Sequence, residues 1–160
     1  MALSLENVLL SAADGLVQSG DQIWFHFDKY PWHLSKPDRN PNIGEHQHRI
    51  ETRISKGLPD PLGAKPLYGT YYLGISPHIY SYYHLITDLL VNLIGVKKYP
   101  ILVPKFMPIS YINFLRNIGF HVKILPPKIF FIEKLLIPKT NKPDWNKTKV
   151  KKIQYFFDYL

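Results

Sequence analysis

Short β-prone runs alternate with turn signals at the front of the chain. NVLLSA and QIWFHF are separated by ADG and SGD, which allow a left-handed residue at Gly15 and Gly20. The pattern predicts a β-meander over residues 1–29. The rhythm then stops between residues 30 and 66, where Pro31, Pro37, Pro41, Pro59, Pro61 and Pro66 punctuate the chain and only GEHQHRIETRIS suits a short helix. A long loop is expected there, and loops of that length are commonly functional or mobile.

From residue 67 to 140 the apolar periods are more regular and predict an α/β core. PLYGTYYLGI reads as a strand, and Ser76-Pro77 reads as a helix start, with Ser as N-cap and Pro at the first helical position. Helix is expected to Asn92 or Gly95. YPILVP is a short buried strand, PISYINFLRNIG a helix beginning after Pro108 and stopped by Gly119, and FHVKIL the next strand. KIFFIEKLLIP supplies one or two strands more, and residues 141–160 read as a basic linker opening a last helix. Helix and strand in units this short predict right-handed crossovers over a mainly parallel sheet. Residues 101–103 and 122–125 should be neighbouring parallel strands with the helix over 81–92 against them. The expected fold class is therefore α/β, a β-meander packed beside a Rossmann-like α/β layer. No G-x-G-x-x-G or G-x-x-x-x-G-K-[ST] marks a dinucleotide or P-loop site.

Composition narrows the chemistry. At 160 residues and 46% hydrophobic content the chain suits a single domain with its own core, and the absence of cysteine excludes disulfides, thiolate metal sites and a thiol nucleophile. MALSLENVLL lacks the basic n-region of a signal peptide, so a cytoplasmic protein is expected. The run Pro66–Thr87 has no Asp, Glu, Lys or Arg, but Gly69, Gly74, Pro77 and His78 make it a poor membrane span. Charge is uneven. Seven of the 20 Lys/Arg and nine of the 12 acids lie in residues 1–96; the other 13 cations face only Glu133, Asp144 and Asp158. A basic half suits nucleic acid, an anionic membrane surface met peripherally, or a phosphorylated ligand. It also suits a simple solvated face.

Polar residues interrupt the oily helix SYYHLITDLLVNL at regular steps. At about 100° per residue, Ser81, His84, Asp88 and Asn92 share one stripe. Tyr83, Ile86, Leu90 and Leu93 cover other faces, so the stripe should border something wet, with Leu90 and Leu93 buried. An imidazole and a carboxylate four residues apart can hydrogen-bond, which orients the ring and favours its protonated form. A general base is held in this way, and the same spacing also fits an ordinary exposed polar face or a satisfied core histidine. His46 and His48 form a His-x-His pair without an evident third ligand, so no metal site is expected.

SYYHLITDLL resembles the Asn-Tyr-Tyr-His-aromatic, spacer and acid segment of glycosyltransferase family 61, the DUF563-type enzymes of capsular polysaccharide biosynthesis and related transfers. The succession YPILVP, SYINFLRNIGF and IEKLLIP is similar to that family's downstream order, and ENVLLSAADGLVQSGDQIW to its N-terminal meander. The resemblance spans about residues 5–140. Ser81 stands where the family has Asn, and Leu85 where it has Trp or Phe. The resemblance implies the acceptor-side half of a GT-B enzyme, which moves a sugar from a nucleotide-sugar to a glycan acceptor with inversion and without a metal or other cofactor. His84 and Asp88 would be the catalytic pair, and Ser81, Tyr82, Tyr83 and Asn92 would bind the acceptor. The nucleotide-sugar would be held mainly by a second domain beyond Leu160, where the chain stops within an amphipathic run. This chain alone is then expected to be inactive.

Two other classes remain. A non-catalytic carbohydrate-binding or assembly module would use Tyr71, Tyr72, Tyr82 and Tyr83 as stacking or core groups. A nucleic-acid binder would use the lysines from Lys139 to Lys152, but no nucleic-acid motif accompanies them.

Overall fold

The computed structural model describes residues 2–24, 32–33, 56, 59–75, 85–90, 93 and 97–138. Strands β1 (Ala2–Ser11), β2 (Val17–Ser19), β3 (Gln22–Trp24) and β4 (Trp32–His33) pair antiparallel in chain order. They form the meander that the turn signals predict, except that β4 lies within the stretch 30–66 expected to be a loop. Gly15 and Gly20 both take positive φ, 77° and 58°, where a side chain would be strained.

The second half contributes β5 (Lys65–Leu73), β6 (Ile101–Pro104), β7 (Val122–Leu125) and β8 (Ile129–Pro138). One mixed eight-stranded sheet results, in the order β4-β3-β2-β1-β8-β5-β6-β7. β6 and β7 are neighbours and parallel, with Ile101 opposite Val122 and Pro104 opposite Leu125, as expected. β5 is parallel to both of its neighbours, β8 and β6. The meander does not pack beside this parallel block. β1 pairs antiparallel with β8 from Ala2↔Pro138 to Ser11↔Ile129, so both halves are parts of the same sheet. KIFFIEKLLIP is one long central strand rather than two.

Its alternation slips once. In β8, Phe130 and Ile132 are buried, then Leu135 and Ile137, with Glu133 and Lys134 between them. β1 slips at the same level: Leu3 and Leu5 pack on the cluster that buries Val8 and Leu10, and Glu6 and Asn7 intervene. Asn7 has φ +52°, and the adjacent β5 carries a register shift between Leu67 and Thr70 with Gly69 at φ +104°. Three neighbouring strands thus bend along one line, as bulges allow, and the sheet turns back over itself. Two contacts require this. Leu125 and Ile129 are linked by a chain reaching only about 14 Å, although β7 and β8 are parallel strands of one sheet. A Cβ on Gly15, in the β1–β2 turn, would lie 2.6 Å from the Ile75 carbonyl oxygen just past β5. Polar contacts hold the bend: Gly69 N–H donates to the Glu133 carboxylate, and Lys134 Nζ lies 3.5 Å from Glu6.

The fold encloses a first core between its two leaves, with Val8, Leu10, Val17, Phe130 and Ile132 facing Leu73, Ile75, Leu102 and Leu125. A second core lies on the outer face of the parallel leaf. There Tyr72, Ile101, Val103 and Val122 are covered by Leu85, Leu89, Leu90 and Leu93 and by α1 (Ile109–Asn117) through Ile112 and Leu115. All four residues of β6 are buried, as in a strand covered on both sides. α1 begins after Pro108, as predicted, and ends in a Schellman motif: Phe120 N–H donates to Leu115 O at 3.0 Å, Gly119 N–H to Arg116 O at 3.0 Å, and Gly119 has φ +92°. Phe120 packs in the same core as Leu115.

Candidate functional site

β5 is the strand at which the sheet's chain order reverses. The chain leaves it for β6 on one side and later returns as β8 on the other. Crevices that bind ligands in open α/β sheets gather at the carboxyl ends of such strands. Here that end is tightly held. Gly74 N–H donates to Leu102 O at 2.8 Å, and a Cβ on Gly74 would meet Ile101 Cγ2 at 2.6 Å and Leu102 O at 2.8 Å. Only glycine lets the chain pass so close to β6. Ile75, next in the chain, is buried against the β1–β2 turn.

The described part of the segment with the polar stripe begins ten residues further along the chain, at Leu85. Its apolar positions explain its placement: Leu85, Leu89, Leu90 and Leu93 are buried with Tyr72, Ile101 and Val103. Leu90 and Leu93 are thus buried as expected. The winding is not the regular α-helix that the 100° step assumes. Leu85–Leu89 is a π turn, whose wider i→i+5 bonding shifts the faces of the residues around it. The backbone of Asp88 belongs to this turn. Ser81, Tyr82, Tyr83, His84 and Asn92 lie outside the described residues, as do His46, His48 and the lysines of residues 139–152.

Tyrosines 71 and 72 occupy opposite environments. Tyr72 is buried in the outer core, and burial pushes its phenol pKa up. There it packs with Ile101 and Val103. Tyr71 donates its hydroxyl to Tyr68 O at 2.9 Å, and Lys123 Nζ stands 5.2 Å from its ring centroid, within cation–π reach. Tyr68 is 74% exposed. This Tyr68–Tyr71–Lys123 arrangement was not singled out by the sequence, because Lys123 meets Tyr71 only through the order β5-β6-β7. The Glu133 carboxylate is taken up by the Gly69 bulge and acts structurally. Among the described residues no group of three or more His, Cys, Asp or Glu is gathered to hold a metal, and no helix is long and apolar enough to cross a membrane.

A scan against protein-family models, a search of curated proteins and a search of solved structures each returned no match.

Proposed function

We propose that this chain is the acceptor-side part of a glycosyltransferase, with His84 and Asp88 at its reacting centre. One observation carries the reading. Leu85, Leu89 and Leu90, from the described part of SYYHLITDLL, are buried with Tyr72 near the carboxyl end of β5, the strand at which the order reverses. Four parallel strands in the order β8-β5-β6-β7 are compatible with half of a GT-B enzyme and its Rossmann-like layer. In the proposed reaction His84, oriented by Asp88, takes the proton from an acceptor hydroxyl as that oxygen attacks the anomeric carbon and the nucleoside diphosphate leaves. Inversion follows from the single displacement, with no covalent intermediate. Ser81, Tyr82, Tyr83 and Asn92 would position the acceptor. The diphosphate's charge would be met by cations and helix N-termini, mostly on a second, donor-binding domain.

A glycan array, probed with and without UDP- and GDP-sugars, tests the reading. Acceptor-selective binding should be lost in His84→Ala while circular dichroism stays unchanged, and calorimetry should find no tight nucleotide-sugar binding by these 160 residues alone. Glycan binding indifferent to His84→Ala would instead favour a non-catalytic carbohydrate module, for which the exposed Tyr68 beside Tyr71 offers an aromatic face. Absence of any glycan binding would remove both.

A further inference from the structure

The connection from β6 to α1 and the first residue of α1 present apolar side chains to solvent. Phe106 is 48% exposed and Ile109 65%, and Ile124, on the neighbouring edge strand β7, is 38% exposed. Lys105 N–H donates to Leu125 O at 2.9 Å, which fixes the start of this connection beside the end of β7. Lys105, Pro126, Pro127 and Lys128 are exposed around it. Along the sequence, residues 97–132 contain Lys97, Lys98, Lys105, Arg116, Lys123 and Lys128 and no Asp or Glu, while Asp14 lies two residues from Ala12, whose N–H donates to Lys128 O.

These two features call for different things from a partner. Lysines without intervening acids attract a dense negative charge. Exposed Phe and Ile side chains gain from leaving water and make no hydrogen bond to phosphate. An anionic lipid surface satisfies both, because apolar side chains enter the acyl boundary while the cations meet headgroups. Nucleic acid would satisfy the lysines and leave Ile109 and Ile124 in water. We infer that the β6–α1 connection, with Phe106 and Ile109 at its apolar tip and Lys105 and Lys128 at its rim, docks peripherally on anionic membranes. Such docking is independent of the transferase chemistry proposed above.

Sedimentation of the 160-residue protein with vesicles of phosphatidylglycerol and phosphatidylcholine, against pure phosphatidylcholine, is the test. Binding is expected only where phosphatidylglycerol is present. The double variant Phe106→Ser/Ile109→Ser should weaken it by roughly tenfold or more, and Lys105→Gln/Lys128→Gln by a comparable factor. All four substitutions fall at exposed positions, so circular dichroism and thermal midpoint should hold. Vesicle binding unaffected by Phe106→Ser/Ile109→Ser would overturn the inference. So would binding abolished by physiological salt and displaced equally by single-stranded RNA, which would mark a general polyanion surface.

Discussion

Single residues fix the tightest glycine approaches among the described residues, at Gly15 and Gly74, and the first can be measured against an uncrowded turn glycine. Gly15 and Gly20 share the left-handed conformation, at φ 77° and 58°, but only Gly15 is crowded, with Ile75 O 2.6 Å from a would-be Cβ and nothing within 4 Å of the one at Gly20. Gly20→Ala should therefore cost only the conformational term, about 1–2 kcal/mol. Gly15→Ala should add an overpacking cost of about 1–3 kcal/mol, seen as an earlier midpoint in urea. Equal losses would mean that the turn is not pressed against Ile75. Turn glycines were legible in ADG and SGD; the contact with Ile75 was not, because it depends on the bend of strands far away in sequence. Tyr72 gives a second residue-scale expectation. Burial raises its pKa above the ordinary 10.0, so the folded state favours the neutral phenol. That contribution is complete below about pH 10 and is lost as pH rises further, because the unfolded chain then ionises while the folded one resists. Stability measured in urea should fall above about pH 10, and Tyr72→Phe should flatten the decline.

At the scale of elements, the sheet bends because two paired strands each carry a polar pair at matching positions. Glu6-Asn7 and Glu133-Lys134 shift the buried parity of β1 and β8 together, and Glu6 stands opposite Lys134. The cue was present in LSLENVLL and IFFIEKLLIP. It was ambiguous there, since a slipped alternation also fits two short strands, and β1 and β8 find each other across more than 110 residues with no local signal for the pairing. The helix of residues 109–117 was legible to its ends because both of its stops, Pro108 and Gly119, are local. The candidate segment was legible in its apolar anchors and not in its winding, which becomes a π turn where Leu85 and Leu89 both reach the core. The bend makes an unusual prediction for β1. Valine has the higher strand propensity, yet Asn7→Val should destabilise by about 1–2 kcal/mol, because Asn7 sits at φ +52° and valine tolerates that poorly. Equilibrium unfolding of the variant checks it, and a gain in stability would mean that the bend relaxes without Asn.

For the molecule as a whole, the shared strands decide how it comes apart. A meander packed beside an α/β layer would have a surface of separation, and its tryptophans would report unfolding of their own subdomain. Here β1, β8 and β5 each run through the bend and supply side chains to both leaves, and the inner core lies between those leaves. Pulling the meander away exposes Leu73, Leu102 and Leu125 as well as Val8 and Leu10, so the core that the two leaves share is opened on both sides at once. Two of the three tryptophans, Trp24 and Trp32, belong to the meander strands, whereas backbone dichroism reports every element. Fluorescence and far-UV dichroism should therefore trace one transition in urea, with a common midpoint. Ile132→Ala, which opens a cavity in the shared strand, should move both signals together by about 2–5 kcal/mol. An earlier fluorescence transition would show the meander unfolding by itself, and the sheet would then be two bodies joined along β1 and β8 rather than one folded over a common core.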